Sequence, residues 1–267
     1  MDPTFSSPYP LDDHQLEFYR SNGFIKLKQV FSPEAIAHMD RVITSEVDRF
    51  NTETRPMDQR DTYGKAFLQI MNLWTRSQQV KEIVFSKRLA GIAAALMGTN
   101  GVRIYHDQAL YKEPGGGHTP WHADQYYWPL ASEHTVTAWI PLQETPMELG
   151  PLEFSAGSMN LKTGRDKAIS DESQSILEAA LKAANYPQVA EPFSIGEVSF
   201  HTGWLFHRAG PNRTNRMRKV MTVIYMDSEM RLKAPENPNQ VADHETWCPG
   251  AVVGAVIDTP LNPVIPF

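Results

Sequence analysis

The segment HTPWHADQYYWPL, residues 118–130, places a histidine and an aspartate two positions apart among aromatic residues. Residues i and i+2 of an extended strand point to the same face, so the side chains of His122 and Asp124 can reach one ion. An imidazole together with a carboxylate suits divalent metals that perform oxygen chemistry. The segment therefore predicts two ligands of a metal site that needs a third ligand from elsewhere.

The β-rich part of the chain offers several histidines as that third ligand: His106, His118, His134, His201 and His207. His207 has the most suitable surroundings, because it ends the predicted strand VSFHTGWLFH and precedes the turn RAGPN. Functional residues concentrate at such places. His201 has the same strand parity and competes with it. Further on, Arg218 begins the predicted strand RKVMTVIYM, where a guanidinium can bind a carboxylate with two parallel hydrogen bonds.

Composition limits the class of protein. The chain has 267 residues, a formal net charge of −6, 41% hydrophobic and 21% charged residues, which is typical of a soluble globular protein. No Lys/Arg run is present, so we expect no nucleic-acid or membrane partner. A single cysteine, Cys248, excludes a disulfide framework and a Cys-rich zinc site. The acidic, Pro-rich start is not typical of a secretory signal, and we expect a cytoplasmic protein.

The elements that must position these residues change in character along the chain. Residues 1–99 predict a mostly helical support layer, with one helix capped by Ser32. Residues 100–230 predict short strands separated by Gly, Pro and Asn turns, interrupted by the helix DESQSILEAALKAA. The tail, residues 231–267, is Pro-rich and is expected to wrap over the core. We therefore predict a single domain over residues 1–267, with helices supporting an antiparallel β-sandwich or barrel.

The order His122-X-Asp124, His207, Arg218 resembles the iron(II)/2-oxoglutarate oxygenases of the phytanoyl-CoA dioxygenase family. The segments PWHADQYYWP, TAWIPLQETPMELGPLEFSAGS and GEVSFHTGWLFHRAGPNRT are similar to that family as well, and the resemblance runs from about Leu16 to Asp227. It implies a mainly β fold with helical support (α+β), built on a double-stranded β-helix, the jelly roll also called cupin-like. It also implies that the two histidines and the aspartate hold catalytic Fe(II).

The resemblance further implies how the cosubstrate is bound. Arg218 would bind the far carboxylate of 2-oxoglutarate, and Trp139 would pack against or hydrogen-bond to the cosubstrate. Gln108 and Lys112 would add contacts from a neighbouring strand. With O₂ as oxidant, 2-oxoglutarate would be decarboxylated to succinate, and ascorbate would be expected to support the reaction in vitro.

Aromatic residues around the predicted metal are candidates for a substrate pocket. Tyr126 and Trp128 share the strand parity of Asp124, and Trp204 and His106 are further candidates, although each of these side chains could equally close the barrel or fill its core. The Gly-rich segment 112–120 is flexible by composition, which permits a lid over the site.

The predicted function is hydroxylation of a small organic molecule. The resemblance supports it, because halogenating relatives replace the metal-binding carboxylate with a small residue and this sequence keeps Asp124. The alternative is a cupin-like metal-binding isomerase, hydrolase or small-molecule-binding protein that does not use 2-oxoglutarate, which would have no need for Arg218. The acidic charge balance disfavours a CoA thioester, so we expect a small, largely apolar or zwitterionic substrate.

Overall fold

The structure is a computed structural model that describes residues 2–267. It contains seven α-helices among these residues: α1 Asp13–Asn22, α2 Pro33–Phe50, α3 Thr62–Ala66, α4 Gln78–Val84, α5 Lys87–Met97, α6 Asp171–Ala183 and α7 Pro238–Trp247. Side chains cap the predicted helices: Ser32 accepts the N–H of Ala35 at the start of α2, and Ser170 forms a capping box at the start of α6. The helices predicted from residues 1–99 and from DESQSILEAALKAA are confirmed.

Eleven strands among the described residues form two antiparallel sheets: β1 Phe24–Leu27, β2 Leu68–Met71, β3 Val102–Lys112, β4 Thr119–His122, β5 Thr135–Pro141, β6 Leu152–Ser155, β7 Gln188–Ala190, β8 Val198–Thr202, β9 His207–Ala209, β10 Arg218–Asp227 and β11 Val264–Ile265. The large sheet has the order β1-β8-β5-β10-β3-β11, with β2 also paired to β3. The small sheet has the order β4-β9-β6-β7. Helices on two packed antiparallel sheets confirm the predicted α+β jelly-roll class.

The two faces of the large sheet have different partners. Alternate residues of β5 and β10, such as Ala138 and Val223, pack with Met39 and Ile43 of α2 in the main hydrophobic core. The intervening residues, including Thr137, Trp139 and Thr222, face a cavity between the sheets. The period-2 alternation of a strand thus separates a structural face from a face available for chemistry.

Three local predictions differ from the structure. The segment VSFHTGWLFH is not one strand, because β8 ends at Thr202 and β9 begins at His207 in the other sheet. Asp124 is not in a strand with His122; it opens a 3-10 helix, Asp124–Tyr127. The Pro-rich tail contains a helix that was not predicted, α7, with Asn237 as cap and Pro238 at the first turn. None of the helices described is both long and apolar enough to span a bilayer.

Candidate metal centre

His122, Asp124 and His207 converge on one point. Each offers a potential ligand atom, and these atoms all lie within 4.8 Å of one another. Oδ1 of Asp124 is 3.5 Å from Nε2 of His122 and 3.8 Å from Nε2 of His207. Two imidazole nitrogens and one carboxylate oxygen form a facial donor set, which suits ferrous iron and leaves further coordination positions open.

Backbone carbonyls orient both histidine ligands. Nδ1 of His122 lies 2.8 Å from the carbonyl oxygen of Pro120, and Nδ1 of His207 lies 3.1 Å from that of Leu205. A proton on each Nδ1 donates to the carbonyl, so the lone pair of each Nε2 points at the shared position. Burial also lowers the pKa of His207 well below its usual range, which keeps this imidazole neutral and able to bind a metal.

The second carboxylate oxygen of Asp124 is held from the opposite side. Thr137 donates its hydroxyl to Oδ2 at 3.2 Å, and Nε2 of His201 lies 3.4 Å from the same oxygen. Burial would raise the pKa of Asp124, but His207, His122 and His201 outweigh burial and hold the pKa well below its usual range. The carboxylate is therefore ionised and presents Oδ1 to the two histidines.

Local backbone structure creates this convergence. Strand β4 pairs with β9, so that His122 lies opposite His207, and a bulge in β4 adds one residue between this pair and the pair Thr119–Ala209. Ala123 stays extended, with φ −125° and ψ 128°, so Asp124 still points to the side of His122 although the strand has ended. The same-face prediction for His122 and Asp124 thus rests on one extended residue.

A tight turn brings His207 to the other two ligands. The turn connects β8 and β9, and Gly203 in it lies against the 3-10 helix that carries Asp124. A Cβ on Gly203 would lie 2.4 Å from Oε1 of Gln125 and 2.6 Å from Oγ1 of Thr135, which is too close for any other residue. Gln125 donates its backbone N–H to the Gly203 carbonyl at 2.9 Å. This contact fixes the two metal-binding segments relative to each other.

The centre opens into a cavity of about 280 Å³ between the two sheets. Alternate residues of β3 order the cavity wall: His106, then Gln108, then Leu110. Arg218 lies beyond this row at one end, since it pairs with Lys112 on β3. Asp243 of α7 lies at the other end, where its carboxylate accepts a hydrogen bond from the neighbour of His106, Tyr105. We refer to these as the Arg218 end and the Asp243 end.

The Arg218 end combines one buried cation with an apolar wall. Leu110, Trp139, Leu152 and Ala209 belong to one hydrophobic cluster and line the cavity here. The guanidinium of Arg218 is 1% exposed; its Nη1 donates to the Gly150 carbonyl at 2.7 Å, and its Nε has no hydrogen-bond partner among the described residues. Burial lowers the pKa of Arg218 to about 9, which leaves it charged at neutral pH. A buried, incompletely bonded guanidinium is suited to bind a carboxylate.

A glycine makes possible the one side-chain hydrogen bond that Arg218 forms within residues 2–267, the bond to the Gly150 carbonyl. Gly150 has a φ of +75°, and a Cβ there would lie 2.3 Å from the carbonyl oxygen of Gly210. Any other residue would therefore be strained in its backbone and would clash with the loop after β9. The turn holds the Gly150 carbonyl at the base of the guanidinium.

The other expected cosubstrate contacts differ in position. Trp139 lines the cavity with its ring centroid 5.6 Å from Cζ of Arg218, and Gln108 lines it while accepting a hydrogen bond from Gln69. Lys112 is fully buried but is not part of the cavity wall; its Nζ donates to the carbonyl of Gly117 instead. Burial, with Arg218 nearby, lowers the pKa of Lys112 to about 6. The structure therefore places Lys112 outside the cavity wall, against the Gly-rich loop.

Thr119 lines the Arg218 end of the cavity, although the sequence did not predict it as a site residue. Its hydroxyl is buried without a hydrogen-bond partner among the described residues, opposite Ala209. Strand parity assigns Thr119 and His122 to opposite faces, and the bulge in β4 reverses that assignment. A β-bulge has no reliable sequence signal, so alternation alone could not find this residue.

The Asp243 end is aromatic. Of the four residues expected in a substrate pocket, Trp128 and His106 line the cavity there. Tyr126 and Trp204 are absent from the wall: the Tyr126 hydroxyl accepts a hydrogen bond from Asn239 at 3.2 Å, and Trp204 stacks under the guanidinium of Arg165 at 4.3 Å. Tyr126 departs from the predicted side because residues 124–127 form a 3-10 helix, in which strand alternation no longer applies.

Tyr127, an aromatic neighbour of the expected pocket residues Tyr126 and Trp128, also lines this end, and three further residues there were not predicted from the sequence: Tyr63, Asp243 and Trp247. Asp243 and Trp247 lie one helical turn apart on α7, the helix that Pro-rich composition concealed. The signal that could have found them is the cap Asn237 followed by Pro238, which predicts a helix start.

Comparison with known proteins identifies relatives. The model of the family described as Phytanoyl-CoA dioxygenase (PhyH) matches residues 19–220. A probable alpha-ketoglutarate-dependent hypophosphite dioxygenase from Stutzerimonas stutzeri is 21% identical over 220 residues, which cover 78% of this chain and 76% of that protein.

Solved structures share the fold. The non-heme alpha-ketoglutarate-dependent carbocyclase SnoK from nogalamycin biosynthesis superposes with a TM-score of 0.79 at 22% identity, covering 97% of this chain and all of that one (100%). The epimerase SnoN, in complex with Fe³⁺, alpha-ketoglutarate and nogalamycin RO, gives a TM-score of 0.78 at 21% identity over 95% of this chain and 98% of its own. The comparisons therefore agree with the jelly-roll architecture described above.

Proposed function

Because the chain belongs to the phytanoyl-CoA dioxygenase family, we propose that it hydroxylates a small organic molecule with O₂ while 2-oxoglutarate is decarboxylated to succinate. It is a non-heme iron and 2-oxoglutarate-dependent dioxygenase. The observation that carries the proposal is the facial set of His122, Asp124 and His207 in one cavity with the buried Arg218. A metal protein without 2-oxoglutarate would gain nothing from burying a guanidinium there.

His122, Asp124 and His207 would hold the iron. Their donor atoms are preorganised by the Pro120 and Leu205 carbonyls, which costs no rearrangement when the metal binds. Thr137 and His201 would keep Oδ2 of Asp124 occupied, so that a single oxygen of the carboxylate binds. When bound at this centre, iron and 2-oxoglutarate together would activate O₂.

Arg218 would bind the distal carboxylate of 2-oxoglutarate. Its guanidinium has only one internal hydrogen bond among the described residues, and Trp139 and Leu152 exclude water from around it. In such a setting a bidentate ion pair is stronger than in water. The Thr119 hydroxyl is a further donor at this end. Gln108 lies midway along the wall and would face the cosubstrate from β3.

The reaction and the substrate size follow from the same cavity. Asp124 occupies the third ligand position, which favours hydroxylation over halogenation. A cavity of about 280 Å³ is slightly smaller than the roughly 300–1,000 Å³ usual for ligand sites and suits a small molecule. Ascorbate would keep the iron ferrous in vitro, and Trp128 and His106 would contact the substrate.

Anaerobic titration tests the proposal. Purified protein with ferrous iron should develop a visible metal-to-ligand absorption band on addition of 2-oxoglutarate, and exposure to O₂ should discharge the band and release succinate. Succinate mixed with iron in place of 2-oxoglutarate is the control and should give no band. A protein that binds ferrous iron but shows neither band nor succinate does not use 2-oxoglutarate.

A further inference from the structure

Asp243 places an unpaired carboxylate in the cavity wall. Within residues 2–267 it forms no salt bridge; the Tyr105 hydroxyl donates to its Oδ2 at 3.0 Å, and Trp247 donates to the carboxylate as well. Arg218 is the only Lys or Arg side chain that lines the cavity described, and it lies at the far end. A partly buried carboxylate without a cation is costly and therefore suited to receive one from a ligand.

Aromatic side chains line the same end of the cavity as Asp243. Tyr127, Trp128 and Trp247 line the same end, and Trp128 lies 5.5 Å from Tyr105 between ring centroids. Tryptophan and tyrosine faces attract cations, most strongly where water is excluded. His106 stacks on Trp247 at 5.0 Å. Burial lowers the pKa of His106 to about 4, so this histidine adds no positive charge that would compete for the carboxylate.

The charges in the cavity other than Asp243 balance once ferrous iron and 2-oxoglutarate are bound at the metal centre. The two positive charges of ferrous iron and the one of Arg218 are matched by Asp124 and the two carboxylates of 2-oxoglutarate. When Asp243 is ionised, it is then the single uncompensated charge in the cavity wall. This argument rests on the function proposed above.

We propose that the Asp243 end binds the positively charged nitrogen of a small amine substrate, protonated or quaternary, between the Asp243 carboxylate and the rings of Tyr127, Trp128 and Trp247. The cation replaces the missing partner of Asp243, and the carbon to be oxidised extends from the nitrogen towards the metal centre. Burial raises the pKa of Asp243 to about 7, while hydrogen bonds from Tyr105 and Trp247 lower it, and a bound cation would keep the carboxylate ionised. The substrate class is thereby narrowed from apolar or zwitterionic molecules to amines.

A matched pair of probes tests the charge alone. Choline and 3,3-dimethylbutan-1-ol have nearly the same shape and differ in the charge of one atom. Anaerobic calorimetric titration of the protein loaded with ferrous iron and 2-oxoglutarate should show choline binding at least about tenfold more tightly than the alcohol. Asp243→Asn should reduce this preference to within about twofold, and Asp243→Glu should restore most of it.

Glu245→Gln is the matched control variant, because Glu245 lies on the same helix, is exposed and carries the same charge. It should keep the choline preference. Equal affinity of the wild-type protein for the two probes would overturn the inference, because the site would then not recognise charge. It would also be overturned if Asp243→Asn kept the preference for choline, because Asp243 would then only hold Tyr105 in place.

The anaerobic absorption band separates the two proposals. A wild-type protein that shows the band with 2-oxoglutarate but no preference for choline retains the proposed function and loses the amine inference. A wild-type protein without the band loses both, because the charge balance at the centre then no longer holds.

Discussion

The two ends of the cavity are built differently. The Arg218 end is formed mainly by strands, with Leu110, Trp139 and Leu152 on three of them, and its single cation is fixed by the carbonyl of Gly150. At the Asp243 end only His106 belongs to a strand of the large sheet, and the other residues named above lie on the 3-10 helix or just after it and on helices α3 and α7. One end is set by sheet register, whereas the other depends on segments that connect or cover the sheets.

This difference matches what each end must recognise. A cosubstrate with one fixed chemical structure is bound best by groups held on a rigid sheet, where positions vary little. A substrate is distinguished by side chains on connecting segments, which can differ without disturbing the sheet. The metal centre lies between them and draws on both kinds of element, with His122 and His207 on paired strands and Asp124 on the 3-10 helix.

Removing a ligand at the centre should have the largest effect, because both ends depend on it. We expect His207→Ala to lower succinate formation at least about a hundredfold, since loss of even an indirect partner of a metal costs ten- to a hundredfold. Binding of ferrous iron, measured by calorimetry, should weaken in parallel. His134→Ala is the control, because the His134 side chain is 58% exposed. Equal iron binding by the His207 variant and wild type would contradict the assignment.

A change at the Arg218 end should act on the cosubstrate alone. Arg218→Lys keeps the charge but loses the planar fork, so we expect KM for 2-oxoglutarate to rise about ten- to a hundredfold, equivalent to about 1.5–3 kcal/mol. Arg216→Ala removes a neighbouring exposed arginine and should leave KM unchanged. Steady-state kinetics with varied 2-oxoglutarate measures the effect. If the two variants behave alike, Arg218 does not bind the cosubstrate.

The missed hydroxyl at the same end should have a smaller effect. Thr119→Val preserves shape and removes one neutral donor, so we expect KM for 2-oxoglutarate to rise about two- to tenfold, equivalent to about 0.5–1.5 kcal/mol. Ser199→Ala is the matched control, because Ser199 also has a buried hydroxyl without a partner among the described residues but does not line the cavity. An unchanged KM for Thr119→Val would mean that the cosubstrate does not reach this hydroxyl.

The two ends were also unequally predictable from the sequence. At the Arg218 end, Arg218 begins the strand where the apolar pattern places it, and Trp139 faces the cavity by simple alternation. At the Asp243 end, alternation predicted that Tyr126 would line a pocket, but the 3-10 helix turns it towards α7. Because the tail is rich in proline, helix α7 was not predicted, and Asp243 on it was not predicted as a site residue.

The centre itself shows what local pattern can and cannot supply. Strand alternation predicted the pairing of His122 with Asp124 correctly because Ala123 between them is extended, which is a property of the local backbone. His207 was found for a reason that is only partly right, since it begins a strand of the second sheet and does not end a strand of the first. The turn at Gly203 and the bulge before His122 depend on packing between distant segments, which no local pattern records.

The titration of Asp243 offers the finest test of the difference between the ends. Its pKa of about 7 in the folded protein lies above the ordinary value of 3.8, so the folded state binds more protons than the unfolded state between these pH values. The protonated Asp243 side chain therefore stabilises the folded state fully below about pH 4, and this stabilisation is lost as pH rises through about 7.

In metal-free protein, we expect the free energy of unfolding of Asp243→Asn to rise by about 2 kcal/mol relative to wild type between pH 4 and pH 8. The full pKa difference would give more, but part of the carboxylate remains in contact with water, which reduces the effect. Urea unfolding at each pH measures the gain, and buried Asp107, whose pKa is also raised to about 7, is present in both proteins and cancels in the difference. Glu245→Gln should show no such trend. Parallel stability curves for Asp243→Asn and wild type would mean that Asp243 is already well solvated, and the carboxylate would then gain little from a bound cation.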